Sequence, residues 1–215
     1  LISTIRRKRL KGERPMHSCI QKAIILAVLV SVPTVSFAKE KNKESIRLYP
    51  QHNISAVHKP INAMKAKAIV YYIVDEYKVP EAKAKFIVNE AIKHGTNTGI
   101  SPELVLAVIG VESSFKEKAV SSHGARGLMQ VLASSHKEKV KSIGGVRSLY
   151  NPSKNILLGC NILAEYKDAS DGNLRRTLLR YNGSLGNRRS KYPDKVMAEL
   201  RDIKRASTQL ALAQN

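Results

Sequence analysis

The stretch that decides the fold is "SPELVLAVIGVESSFKEKAVSSHGARGLMQV", residues 101–131. Its first four residues form a helix-start signal. Ser101 can cap the helix, Pro102 suits the first helical position, and Glu103 complements the positive end of the dipole. Leu104, Val105, Val108, Val111 and Phe115 follow as an apolar face. Glu112 lies one turn beyond Val108 and borders that face near the helix C-terminus. Partial burial and the dipole both raise a carboxyl pKa there, as a general acid requires. On this pattern alone, a glutamate simply facing solvent is the equal alternative. Gly124 and Gly127 then permit backbone angles and close approaches that side chains would block, so the loop can bring its N–H groups against a ligand. Gln130 adds both a donor and an acceptor, suited to an N-acetyl group or to the carboxyl.

Outward from this stretch the pattern is helical. Ile69, Tyr72, Ile73 and Tyr77 recur at helical spacing before Pro80, and Ala84, Ile87, Val88 and Ala91 continue until Gly95 and Gly99 break the run. Further helices are expected over residues 127–143, 155–167, 174–181 and 192–210. No stretch alternates long enough to demand a large sheet, so the fold class is mostly α. Tyr71 and Tyr72 are expected to pack rather than to stack on a sugar.

The chain has 215 residues and a formal net charge of +20. "QKAIILAVLVSVPTVSFAKE", residues 21–40, reads as a secretory signal, with Ser36 and Ala38 at the −3 and −1 positions of a cleavage site. The apolar stretch ends at Pro33 and is short for an uncleaved anchor. Residues 1–15 are read as sequence upstream of a start at Met16. "RRKRLK" (Arg6 to Lys11) loosely matches a twin-arginine signal but stands far from the apolar stretch. Residues 1–38 hold seven Lys/Arg and one Glu, so cleavage would leave a charge of +14. Such a chain is drawn to polyanions, and export makes a nucleic-acid partner the weakest choice. Only Cys160 would survive cleavage, so no intrachain disulfide is expected; it reads as a small buried helix residue. The expected organisation is a signal peptide over 1–38, a basic linker over 39–62, a helical region over 63–98, a catalytic domain over 99–205 and a tail over 206–215. The Asn53 sequon falls in the linker and reads as chance.

Three ordered motifs carry a resemblance over about half the chain. Glu112-Ser113 is followed by Ser121, Gly124, Ala125, Gly127, Leu128, Met129 and Gln130; "NPSKNI" covers 151–156, and Tyr181-Asn182 lies in "RYNGS". Together they resemble the family 1 (SLT-type) lytic transglycosylases, which cleave peptidoglycan on a goose-type lysozyme-like fold. The resemblance implies that Glu112 is the catalytic acid and base. It also implies a substrate-binding set of Ser113, Ser121, Gly127, Met129, Gln130, Tyr181 and Asn182, with Tyr181 donating to Glu112 or to the substrate. Met129 reads first as core filler, with groove lining as the alternative. The chain departs from the family pattern at Lys116-Glu117, Ala133, Arg180 and Gly183-Ser184, the last two on the rim of the sugar groove.

Hydrolytic glycosidases canonically use two carboxylates. Glu117 and Glu138, the nearest acids after Glu112, read instead as solvated surface charges. A single carboxyl that first donates and later accepts a proton fits an intramolecular reaction, and the resemblance implies non-hydrolytic cleavage of the MurNAc–GlcNAc bond, giving 1,6-anhydro-MurNAc. A hydrolytic muramidase and a non-catalytic wall-binding or secretion-apparatus protein that keeps the fold are the alternatives. No cofactor or metal is expected, because His94, His123 and His136 show no ligand spacing and read as loop or surface residues. The expected partners are peptidoglycan strands, along with envelope or secretion-system proteins. A periplasmic monomer is expected.

Overall fold

The computed structural model describes residues 61–212, and these are mostly helical. Helix α1 spans Ala63–Tyr77, capped by the Asn62 side chain, which accepts from the Lys65 amide. Helix α2 spans Glu81–Thr98. It runs through Gly95 instead of breaking there and ends at Gly99, whose φ of 68° closes the turn. The Gly95 position takes glycine because a Cβ there would lie 2.8 Å from the Ile100 carbonyl oxygen. Helix α3 spans Pro102–Ser113 with Ser101 as its cap, accepting from the Leu104 amide.

The sequence suggested one apolar face for α3, but the helix is buried all round from Leu104 to Gly110. A helix buried on every side is the centre of a core. Helix α2 packs on one side of it and α7, Tyr192–Leu212, on another. Its end is abrupt. Ser114 and Phe115 both take positive φ, 48° and 60°, which turns the Phe115 ring back into the core at 1% exposure. There it meets Tyr77 edge-on, with ring centroids 4.7 Å apart.

The segment 127–143, expected as one helix, is divided. Strands β1 (Ala125–Arg126) and β2 (Val131–Leu132) form a small antiparallel hairpin, and only Lys137–Ser142 is helical, as α4. Positive φ at Gly127 (79°) and Gln130 (47°) interrupts the helical path. A 3₁₀ turn at Val146–Tyr150 leads into α5, Pro152–Asp168, and α6 follows at Leu174–Tyr181. A second apolar cluster, including Val131, Val140, Leu149, Leu158 and Ile162, seats the hairpin and α4 on α5.

Helix α1 is not an appendage. It packs against α2 and α7, and Tyr72 donates a 3.1 Å hydrogen bond to Glu199 on α7. Tyr77 bonds the same carboxylate and lies over Gly110 of α3, where a Cβ would come within 2.6 Å of its hydroxyl. Burial raises the Glu199 pKa, and the two tyrosine hydrogen bonds oppose that rise. His94, read from sequence as a loop or surface residue, is instead buried on α2. Its Nε2 lies 3.0 Å from Glu90, and Ser153 of α5 donates to the same carboxylate oxygen. Cys160 is buried on α5, as expected for a small helix residue. Among the described residues no helix is long and apolar enough to cross a membrane. The expected signal peptide, nearly all of the expected linker and the end of the expected tail lie outside the described residues.

Candidate active site

Glu112 sits in the last turn of α3, where the core opens into a cleft of about 530 Å³. The floor and walls come from separate elements. The hairpin supplies Ala125, Gln130, Val131 and Leu132; α5 supplies Ile162 and Tyr166; the end of α6 supplies Arg180, Tyr181 and Asn182. Ser121, His123 and His136 complete the parts used below.

Burial pushes the Glu112 carboxyl up to about 6, and a hydrogen bond from Tyr192 partly offsets the rise. The Tyr192 hydroxyl donates to Oε1 at 2.6 Å. Tyr192 is the first residue of α7 and 9% exposed, so the contact ties α7 to the end of α3. At neutral pH such a carboxyl is mostly ionised, yet a useful fraction remains protonated. It can thus give a proton and take one back. Sequence reasoning missed Tyr192. The available signal was an aromatic directly before Pro193 at a helix start, but nothing local linked it to a residue 80 positions earlier.

Among the described residues lining the cleft, Glu112 is the only carboxylate. Glu117 lies elsewhere and pairs with Lys83 at 3.5 Å. Glu138, in α4, is exposed.

The other residues named from sequence divide into two groups. Ser121, Gln130, Tyr181 and Asn182 line the cleft with Glu112. Ser121 Oγ accepts from the Ala125 amide and so shapes the loop as well. Gln130 Nε2 donates to the carbonyls of Ala119 and Gly127, which leaves its Oε1 as the group available to a ligand. Tyr181 donates to the Met129 carbonyl at 2.8 Å instead of to Glu112.

Ser113, Gly127 and Met129 are placed behind the cleft. Ser113 is buried and donates to the Ile109 carbonyl. Met129 is fully buried against Gly159 of α5, in the core role. The loop amides are also engaged internally, Gly124 N–H with Ser121 and Gly127 N–H with Ala119. They are not free to meet a sugar.

Asn155 explains much of this loop. Fully buried on α5, it accepts from the Met129 amide and donates to the carbonyls of Arg126 and Leu149. One side chain thereby satisfies three backbone groups and fixes the turn that presents Gln130. Gly127 must lack a side chain because its Cβ would fall 2.2 Å from the Leu149 carbonyl and 2.3 Å from Asn155 Nδ2.

Comparison with known proteins places these residues in a wider set. The sequence model of the transglycosylase SLT domain matches residues 89–199. A transglycosylase of Enterobacteria phage PRD1 is 35% identical over 106 residues, covering 47% of this chain and 38% of the relative. The endo-type membrane-bound lytic murein transglycosylase A of Citrobacter koseri is 34% identical over 102 residues, covering 41% of this chain and 50% of the relative. The chain thus spans half or less of the length of these curated relatives. Among solved structures, an inactive mutant of lytic transglycosylase Slt from Pseudomonas aeruginosa aligns with a TM-score of 0.43 and 21% identity, over 57% of this chain and 22% of that one.

Proposed function

The chain belongs to the transglycosylase SLT domain family, and from that premise we propose that it is a peptidoglycan lytic transglycosylase with Glu112 as single acid and base. The observation that carries the reading is one half-buried carboxyl, at about 6, set in a cleft with no second carboxylate among its described lining residues.

In the proposed reaction Glu112 protonates the oxygen between MurNAc and GlcNAc as its bond to C1 breaks. The MurNAc N-acetyl group assists the departure. The Glu112 carboxylate then takes the proton of the C6 hydroxyl, whose oxygen closes onto C1. The product is 1,6-anhydro-MurNAc, no water is consumed, and Glu112 ends protonated as it began. Proximity favours this route, because the C6 hydroxyl is already tethered near C1 while a water must be positioned. Tyr192 holds Glu112 in place, and Gln130 Oε1 and Asn182 are offered to the sugar.

Digestion of purified sacculi followed by mass spectrometry, with and without borohydride, tests this directly. Released muropeptides should be one water lighter than muramidase products and should resist reduction. Predominantly reducible MurNAc ends would show hydrolysis, and a well-folded protein that binds sacculi without releasing fragments would show a binding role.

The proposed location is the periplasm, after export and cleavage before Lys39. Support comes from the apolar stretch with Ser36 and Ala38 and from the relative named a membrane-bound lytic murein transglycosylase. N-terminal sequencing of periplasmic material should read Lys39 first; an intact N-terminus in the membrane fraction would overturn this.

A further inference from the structure

Arg180 is a departure from the resembled family, which has alanine before Tyr-Asn. Its surroundings give the substitution a purpose. Among the described residues lining the cleft it is the sole lysine or arginine. Its Nε donates to Ser170 Oγ at 3.1 Å, and Ser170 is 1% exposed just beyond the end of α5. A buried hydroxyl therefore fixes the guanidinium plane. Arg175 is paired with Asp194 and Arg205 with Asp202, but no described carboxylate pairs with Arg180. Glu112, in the same cleft, is bonded to Tyr192 instead. Among the described residues, the Nη1 and Nη2 donors of this oriented arginine thus have no protein acceptor, and they lie in the cleft with His123 and His136.

A fixed guanidinium fork matches the two oxygens of a carboxylate, a match that lysine cannot reproduce. We infer that Arg180 forms a carboxylate-binding subsite of the cleft, selecting glycan that carries acidic substituents over neutral glycan. The inference rests on the proposed substrate. Two carboxylate sources exist on such a strand, namely the lactyl group of a MurNAc without a peptide and the acidic residues of an attached stem, whose amide link uses up the lactyl carboxyl.

Binding separates them. Titration calorimetry would use the Glu112→Gln protein, which prevents turnover, with three ligands: a neutral GlcNAc oligosaccharide, strands stripped of peptides but bearing free lactyl carboxylates, and strands bearing stems. Adding Arg180→Ala should weaken carboxylate-bearing ligands by about 10- to 100-fold and leave the neutral oligosaccharide unchanged. Arg180→Gln, which can keep a hydrogen bond to Ser170 while losing the charge, should behave alike and guards against a folding defect. Loss confined to stem-bearing strands assigns the stem, loss confined to stripped strands assigns the lactyl carboxylate, and loss on both shows that the subsite takes either carboxylate. An equal loss on the neutral ligand, no loss on either acidic ligand, or no binding of acidic strands by the parent overturns the subsite. Product analysis is independent of these readings. Binding selectivity without anhydro products would remove the proposed reaction and leave the subsite standing.

Discussion

Glu112 and Tyr192 show what single residues disclose. Helix spacing put the carboxylate at the border of a buried run but left solvent exposure equally open, and the ordered motifs around it singled it out. Its hydrogen-bond donor was not legible, since that contact depends on how α7 returns to α3. Tyr181 was expected to donate to Glu112 or to the substrate, and its hydroxyl instead donates to the Met129 carbonyl. Glu112→Gln should lower wall-lytic activity by about 100- to 10,000-fold, the usual worth of a positioned acid. It should also change stability with a definite sign. The folded carboxyl titrates at about 6, above its ordinary 4.5, so the folded state holds the proton more tightly and loses stability as pH rises between those values. The amide escapes that loss. Urea unfolding should therefore find the variant about 1–2 kcal/mol more stable than wild type at pH 7–8, with the gap shrinking toward pH 4. Tyr192→Phe removes the one bond that lowers this pKa, so the alkaline limb of the pH–activity profile should move to higher pH. An unmoved limb would show that Tyr192 does not tune the acid.

At the scale of elements, the helices over 155–167, 174–181 and 192–210 were readable to within a few residues at most boundaries, because their apolar spacing is regular and local. The segment 127–143 was misread because its conformation is imposed from outside. Asn155, some 25 residues away, supplies the hydrogen bonds that hold Arg126 and Met129 in a turn. The sequence offered "NPSKNI" as a motif without saying that its second asparagine is a bracket for the glycine loop. Asn155→Ala should leave three backbone groups, two of them buried, without that partner and destabilise the protein by about 3–5 kcal/mol. Thermal unfolding at neutral pH measures this, and a shift of a degree or less would mean that water replaces the side chain at little cost.

At the scale of the molecule, packing crosses the expected boundary at residue 98. The helical region over 63–98 shares one core with the helix that bears Glu112, through Ile69, Ile73, Ile87 and Val108. Each such side chain contributes about 1.5–3 kcal/mol on burial, against a total stability of about 5–15 kcal/mol for a typical domain. A shortened chain starting at Glu81 keeps the whole family-matched segment and every residue of the cleft. It should nonetheless lose cooperative unfolding by circular dichroism, and lytic activity with it. A sharp urea transition would show instead that α1 is dispensable. The bond from Tyr72 to Glu199 spans 127 residues of sequence, a distance over which no local pattern announces a partner.

That bond also gives the protein a built-in optical gauge. The chain has eight tyrosines and no tryptophan, so its near-ultraviolet absorbance is tyrosine absorbance. Burial together with neighbouring negative charge raises Tyr72, Tyr77, Tyr181 and Tyr192 above the ordinary phenol range. In an alkaline titration these four should stay colourless until the helices around Glu199 and Glu112 come apart. Their phenolate signal should then appear as a late, abrupt step coincident with loss of helical ellipticity. An early rise larger than four phenolates can account for would show the packing around these four already lost, without any label, substrate or added dye.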